Sequence, residues 1–124
     1  MNENVIISIR GQQLFDEQEP DVMELITPGR LEQTEDGFTL SYQESELTGL
    51  EGTTTVFRIQ GQQVTLVREG EVNSLMVFEE GQRHLSMYET PYGALSVGIN
   101  TRRMKTDLSP SGGDIEIDYA IEVD

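Results

Sequence analysis

The sequence predicts an all-β protein, an antiparallel meander of roughly nine strands that curls to bury its apolar faces. Alternation of apolar and polar residues recurs along the chain. It is plainest at the end, where Ile115, Ile117, Tyr119, Ile121 and Val123 interleave with Asp114, Glu116, Asp118, Ala120 and Glu122. Successive strand side chains point to opposite faces, so this segment has one apolar wall and one almost wholly acidic wall. Glycine-containing connections of roughly two to five residues separate the segments, as a meander requires. No stretch between them reads as a convincing helix.

The first strand runs from Val5 to Gln12, with Val5, Ile7 and Ile9 on one face. Asp16-Glu17-Gln18-Glu19-Pro20 is a solvated acidic loop. Val22 to Thr34 is a long strand in which Pro28-Gly29 predicts a bulge or bend. Asp36-Gly37 is the strongest hairpin signal and leads into Phe38, Leu40, Tyr42 and Glu44 on one face. A loop over residues 45–52, with Glu46, Leu47, Leu50 and Glu51, precedes the strand Thr53 to Gln60. Gly61-Gln62 turns that strand into Gln63 to Glu69, and Glu69-Gly70-Glu71 turns again into Asn73 to Glu80. Gly81-Gln82 then leads to Arg83 to Thr90, and Pro91-Tyr92-Gly93 to a long strand from Ala94 to about Leu108. The loop Ser109 to Gly113 precedes the acid-backed strand. Eight or so strands suffice to close a barrel that holds side chains or one small ligand.

No repeat, low-complexity tract or linker divides residues 1–124, so they read as a single domain. Such a length buries roughly two-thirds of the unfolded surface. With 35% hydrophobic residues, four Phe, four Tyr and no Trp, the core is mostly aliphatic. Eight Lys and Arg face 23 Asp and Glu, a net charge of −15. That charge repels nucleic-acid backbones and anionic membranes, which argues against both as partners. It favours solubility. The absence of cysteine removes disulfides, thiolate zinc sites and thiol nucleophiles. The start Met1-Asn2-Glu3-Asn4 lacks a basic region, and the apolar run after it ends at Arg10, too short for a signal peptide or a span. The expectation is a cytoplasmic protein.

Several segments carry a family likeness: Leu40-Ser41-Tyr42-Gln43-Glu44, Thr53-Thr54-Thr55, Arg68-Glu69-Gly70, Met76-Val77-Phe78, the run Tyr88 to Gly93, and Asp118-Tyr119. In this order and spacing the chain resembles the YwiB-like proteins, a bacterial domain of unknown function. That resemblance implies a calycin-type (lipocalin-like) β-barrel of about 8–10 strands and implies no activity. Family members continue with a turn and one further strand, whereas this sequence stops at Asp124. The expectation is a barrel closed differently, a shortened chain, or an open edge that invites strand addition or a homodimer.

Hairpin arithmetic then places charged residues inside. If Gly61-Gln62 is a two-residue turn, Ile59 opposes Val64, Phe57 opposes Leu66 and Thr55 opposes Arg68. Arg68 therefore shares the apolar face, and Tyr42 and Glu44 share theirs with Phe38 and Leu40. An inward Arg needs a carboxylate or several acceptors. Glu44 is the nominated partner, with Tyr42, Thr53 and Thr55 close by. Two readings stand. One is a structural ion pair at a barrel mouth, the commoner fate of inward charge. The other is an anchor for an anionic or hydroxyl-bearing ligand beneath an apolar wall.

His84, the single histidine, opposes Glu79 across a Gly81-Gln82 turn, on the face away from Met76, Phe78, Leu85 and Met87. It reads as an exposed residue paired with a glutamate, and no nucleophile elbow accompanies it. The carboxylate pairs Glu44/Glu46, Glu69/Glu71 and Glu79/Glu80 are ordinary among 23 acids, and Asp114-Glu116-Asp118 lacks the spacing of a calcium loop. Arg102, Arg103 and Lys105 offset the acidic strand across a hairpin. Tyr88 to Gly93 reads as a turn whose tyrosines could frame an entrance. No catalytic residues, metal ligands or cofactor are assigned. The sequence points to a barrel that binds a small apolar or amphipathic molecule near Arg68. The alternative is an interaction module using an open edge or the acidic face.

Overall fold

The structure, a computed structural model, describes residues 2–13, 21–45, 51–70, 73–90 and 92–123. The acidic loop Asp16 to Pro20, and with it Glu46, Leu47, Leu50, Glu71, Pro91 and Asp124, lies outside these residues. Among the described residues nine strands follow one another: β1 (Asn2–Gln13), β2 (Asp21–Gln33), β3 (Gly37–Gln43), β4 (Thr53–Gln60), β5 (Gln63–Gly70), β6 (Ser74–Glu79), β7 (Arg83–Thr90), β8 (Gly93–Ser109) and β9 (Gly112–Val123). Each pairs antiparallel with the next, in the order of the chain. The meander forms a nearly closed barrel, with β1 and β9 as its two edges. Among the described residues no helix is long and apolar enough to cross a membrane.

Cross-strand register stacks the interior in layers. Phe38, Ile59, Val64 and Phe78 are successive partners across β3 to β6, and Leu40, Phe57, Leu66 and Met76 form the layer beside them. Ile59, Val64, Leu66, Met76, Phe78 and Ile99 are the buried core. Such pairs of aromatic and branched side chains are the unit of sheet stabilisation, each contributing about 0.2–1 kcal/mol. Tyr119 meets Phe78 edge to face, with centroids 4.9 Å apart.

Two long hairpins reach past their neighbours. On β8 the pairing with β7 ends at Asn100, and a bulge between Thr101 and Arg103 shifts the register with β9. The extra residue changes which parity faces inward: Val97, Ile99 and Thr101 before it, Met104, Thr106 and Leu108 after it. Met104, Leu108, Ile115 and Ile117 consequently pack on the core cluster, which folds this hairpin over it. Across the outer face, Arg103 stands opposite Asp118 and Lys105 opposite Glu116, the pairing expected of the basic cluster. At the other end, β2 pairs with β3 over Arg30 to Gln33 alone, so most of the β1–β2 hairpin extends beyond β3.

Three local expectations change. Pro28-Gly29 makes no bulge: Ile6↔Pro28 and Val5↔Gly29 continue the β1–β2 ladder without a shift. Glycine is needed at 29 because a Cβ there would collide with the Ile7 side chain and the Ser41 carbonyl. Asp36-Gly37 is not a two-residue turn. Gln33 opposes Phe38, and the Thr34 N–H donates to the Gly37 carbonyl at 2.8 Å. Gly37 lacks a positive φ, and a Cβ there would strike the Ile59 carbonyl oxygen, so close backbone approach selects it.

The third change is the β6–β7 turn. It is centred on Glu80-Gly81, with the Gln82 N–H donating to the Glu79 carbonyl at 2.9 Å and Gly81 at φ 78°. Farther along the two strands Leu75 opposes Met87, one residue from the register that a Gly81-Gln82 turn would set. A one-residue slip turns a whole strand over. Leu85 (64% exposed) and Met87 (57%) lie outside beside Leu75, and Ser86 (3%) lies within. The β7–β8 ladder fixes this choice: Ser86 pairs with Val97 and His84 with Ile99, and Ile99 is fully buried.

Gly98 offers a contrast with Gly37. Its missing side chain leaves room for the Arg83 guanidinium, which crosses β8 to Glu122 at 2.9 Å. Gly37→Ala should destabilise by about 1–3 kcal/mol, because backbone must move. Gly98→Ala displaces the end of a flexible side chain and an exposed ion pair, a change of about 0–1 kcal/mol. Urea unfolding of the two variants checks the difference.

Candidate functional site

The residues singled out in the sequence meet on the inner face. Tyr42 of β3 opposes Thr55 of β4, Thr55 opposes Arg68 of β5, and Arg68 opposes Ser74 of β6. Direct partners of an antiparallel pair hold their Cβ atoms about 4.5–5.5 Å apart on one face. The four thus form a continuous polar row, and Ser74 continues in register with Tyr88 of β7. Each member lies two residues along its strand from the layer Leu40, Phe57, Leu66 and Met76, so apolar wall adjoins polar row directly. Glu44 and Thr53 form the next level, where the Glu44 N–H donates to the Thr53 carbonyl at 2.9 Å.

Glu44, Thr53, Thr55 and Tyr42 are all buried. The Thr55 hydroxyl donates to the Glu44 Oε1 at 2.7 Å. The Tyr42 phenol also hydrogen-bonds this carboxylate, so Glu44 is tied to the row by the hydroxyls of two strands. The Arg68 Nε is buried with no hydrogen-bond partner among the described residues. The hydroxyls of Ser74 and Ser86 are buried in the same condition. A fourth such group, the Thr101 hydroxyl, lies at the opposite end of the interior, beyond Ile99.

The phenol of Tyr42 records these surroundings. Burial and then the Glu44 charge and hydrogen bond push it from 10.0 up to about 12, while Arg68 and a hydrogen bond from Thr55 pull the other way. Tyr42 therefore stays a neutral donor at physiological pH. It also lines an open groove of about 440 Å³, together with Thr27, Pro28, Gly29, Arg30 and Thr54. The groove lies where β2 and β3 part company after Arg30↔Ser41. A second hollow of about 200 Å³ is lined by Phe38, Ile59, Thr106 and Leu108.

Sequence reasoning placed Arg68, Thr55 and Tyr42 on one face and missed Ser74 and Ser86. The register of β5 with β6 would have found Ser74, since alternation puts it in phase with Met76 and Phe78. Ser86 was hidden by the misplaced β6–β7 turn. His84 lies outside the row. Its Nε2 is 3.0 Å from Glu79, whose carboxyl is held below its ordinary range first by that hydrogen bond and then by one from Gln63. The pairing expected for His84 is present, but His84 is half-buried and in phase with the inward Ser86 and Ile99, not exposed on the face away from Met76 and Phe78.

The raised Tyr42 pKa has a pH consequence. A group titrating higher in the folded state lends stability that is full below the unfolded value and is lost as pH rises through the folded one. The window here is pH 10.0 to about 12. Tyr42→Phe cannot titrate, so the advantage of the unmodified protein over it should shrink across that window by on the order of 2 kcal/mol. Urea midpoints across the window measure this, and a constant difference would contradict the placement of Tyr42.

Comparison with known proteins agrees with this architecture. No curated protein matches the chain. A solved structure, the crystal structure of the YwiB protein from Bacillus subtilis, matches with a TM-score of 0.87 at 22% sequence identity. The match covers 98% of this chain and 83% of YwiB, and at this identity it shows a shared fold, the antiparallel barrel that the sequence resemblance implied. The model of a domain of unknown function, DUF1934, matches residues 7–124. With its polar row set in a nine-stranded meander, this chain belongs to the DUF1934 family.

Proposed function

We propose that this barrel is a non-enzymatic cytoplasmic binding module that holds a small, partly apolar molecule by an anionic or hydroxyl-bearing end, with Arg68 as its anchor. One observation carries the reading: the Arg68 Nε is buried and unpartnered, facing Ser74, whose hydroxyl is also buried and unpartnered. A buried donor left without an acceptor costs about 1–3 kcal/mol, more for a charged group. An oxygen-bearing ligand would remove that cost for both residues at once. Thr55 and Tyr42 flank the position with further hydroxyls, and Leu66 and Met76 supply an apolar wall on the same strands as Arg68 and Ser74.

The charges narrow the ligand. Arg68 is the one cation in the row, and Glu44 lies on the adjoining level. The chain carries −15. A single negative charge, as on a carboxylate, suits this balance better than the two charges of a phosphate monoester. A planar carboxylate also matches the side-on donors of a guanidinium.

Native mass spectrometry of protein purified from its source should show a retained mass above the 13.9 kDa chain. The retained species should be lost in Arg68→Met and weakened in Ser74→Ala. A bare chain from the source, unstabilised by a panel of monocarboxylates, would refute the reading. So would Arg68→Met that gains stability and binds as before.

A further inference from the structure

We propose that β1 is a docking edge for a second copy of this chain, and that two barrels join there through an antiparallel β1–β1 pairing about a two-fold axis. β1 and β9 end the sheet, and among the described residues no strand pairs with the outer side of either. An unpaired edge presents a row of backbone donors and acceptors to any matching strand, and proteins usually guard it with charge, proline or a bulge. The two edges differ in that respect.

On β9 the guard is present. Asp114, Glu116, Asp118 and Glu122 are exposed along its outer face. Two copies meeting at β9 would set these carboxylates against one another, and like charges directly opposite destabilise a pair. On β1 charge is confined to Glu3 and Arg10, on either side of an unguarded centre. Val5-Ile6-Ile7-Ser8-Ile9 contains no charge, proline or glycine, and its ladder with β2 runs without a shift. A regular, uncharged, β-branched edge of this kind is the strongest template for strand addition. Beside it, Ile6 (72% exposed) and Ile26 (73%) lie on the outer face of the β1–β2 hairpin, and Ser8↔Ile26 and Ile6↔Pro28 make them neighbours.

Self-pairing suits this strand. With Ile7 on the two-fold axis, Val5 meets the partner's Ile9, Ile6 meets the partner's Ser8 and Asn4 meets the partner's Arg10. No like charges oppose, branched side chains meet branched ones, and the Ile6 and Ile26 patches of the two copies become continuous. A two-fold contact is closed, whereas β1 on the partner's β9 would leave further edges and propagate. The occupant is therefore a second copy at β1. A basic partner would be drawn to the acidic row of β9 instead.

Sedimentation velocity of the full chain at physiological ionic strength, from sub-micromolar to hundreds of micromolar, tests this. Twice the 13.9 kDa mass is expected at high concentration, falling to a single chain on dilution. The pair Ile6→Lys and Ser8→Lys changes two exposed residues and should abolish the dimer. Glu116→Lys with Asp118→Lys on β9 should leave it intact. A monomer at every concentration overturns the proposal. A dimer that persists in a folded Ile6→Lys/Ser8→Lys variant, or is lost only in the β9 variant, overturns it as well. Hydrogen exchange on the unmodified protein gives a reading free of any variant. Amides of residues 5–9 should gain protection as concentration rises, and protection gained at β9 alone, or at neither edge, refutes the β1 contact.

Discussion

An arginine that faces the inside of a β-barrel constrains everything around it, because a guanidinium whose Nε is buried needs an acceptor there that a hydrophobic core does not supply. Here the neighbours of Arg68 are polar along the whole row, Tyr42 and Thr55 on one side and Ser74 on the other. These are mostly hydroxyls, which accept as well as donate, and none closes the Nε. Among the described residues the one buried carboxylate, Glu44, is engaged by Thr55. The interior is accordingly divided. One part is a packed core of Ile59, Val64, Leu66, Met76, Phe78 and Ile99, and the other is a polar level whose hydrogen bonds are incomplete. A packed core supports stability, while an unsatisfied polar level at its border is where a ligand gains most.

The same meander leaves a seam. The β8–β9 hairpin reaches the core from one side with Met104, Leu108, Ile115 and Ile117, made possible by the bulge that turns its tip inward. The β1–β2 hairpin extends past β3 on the other side, and the groove beside Tyr42 opens where those strands separate. The polar level and the edge strand β1 have independent physical causes. The first depends on inward charge, the second on the charge pattern of the outermost strands.

Much of this was legible in the sequence, and the reasons are specific. Gly61, at φ 59°, fixes the β4–β5 turn, and from it the pairing of Thr55 with Arg68 follows by counting. The β6–β7 turn has the same kind of glycine, but Gly81 fits either Glu80-Gly81 or Gly81-Gln82. Local alternation favoured burying Leu85 and Met87. What decides is non-local: Val97 and Ile99 face inward on β8 and carry Ser86 in with them. Serines follow either face without a hydropathy signal, so Ser74 and Ser86 joined the site only when the registers were known. The glycines at 29 and 37 read as turn and bulge signals, whereas close packing against Ile7 and the Ile59 carbonyl explains them.

Whether the polar level is a closed ion pair or an open anchor comes down to one atom, the Nε of Arg68. A high-resolution crystal structure of protein purified from its source, without an unfolding step, observes it directly. The account predicts density for a bound molecule whose oxygen accepts from the Arg68 Nε and the Ser74 hydroxyl, with Glu44 still on Thr55. A Glu44 carboxylate turned onto Arg68, with no further density beside Ser74, would contradict it.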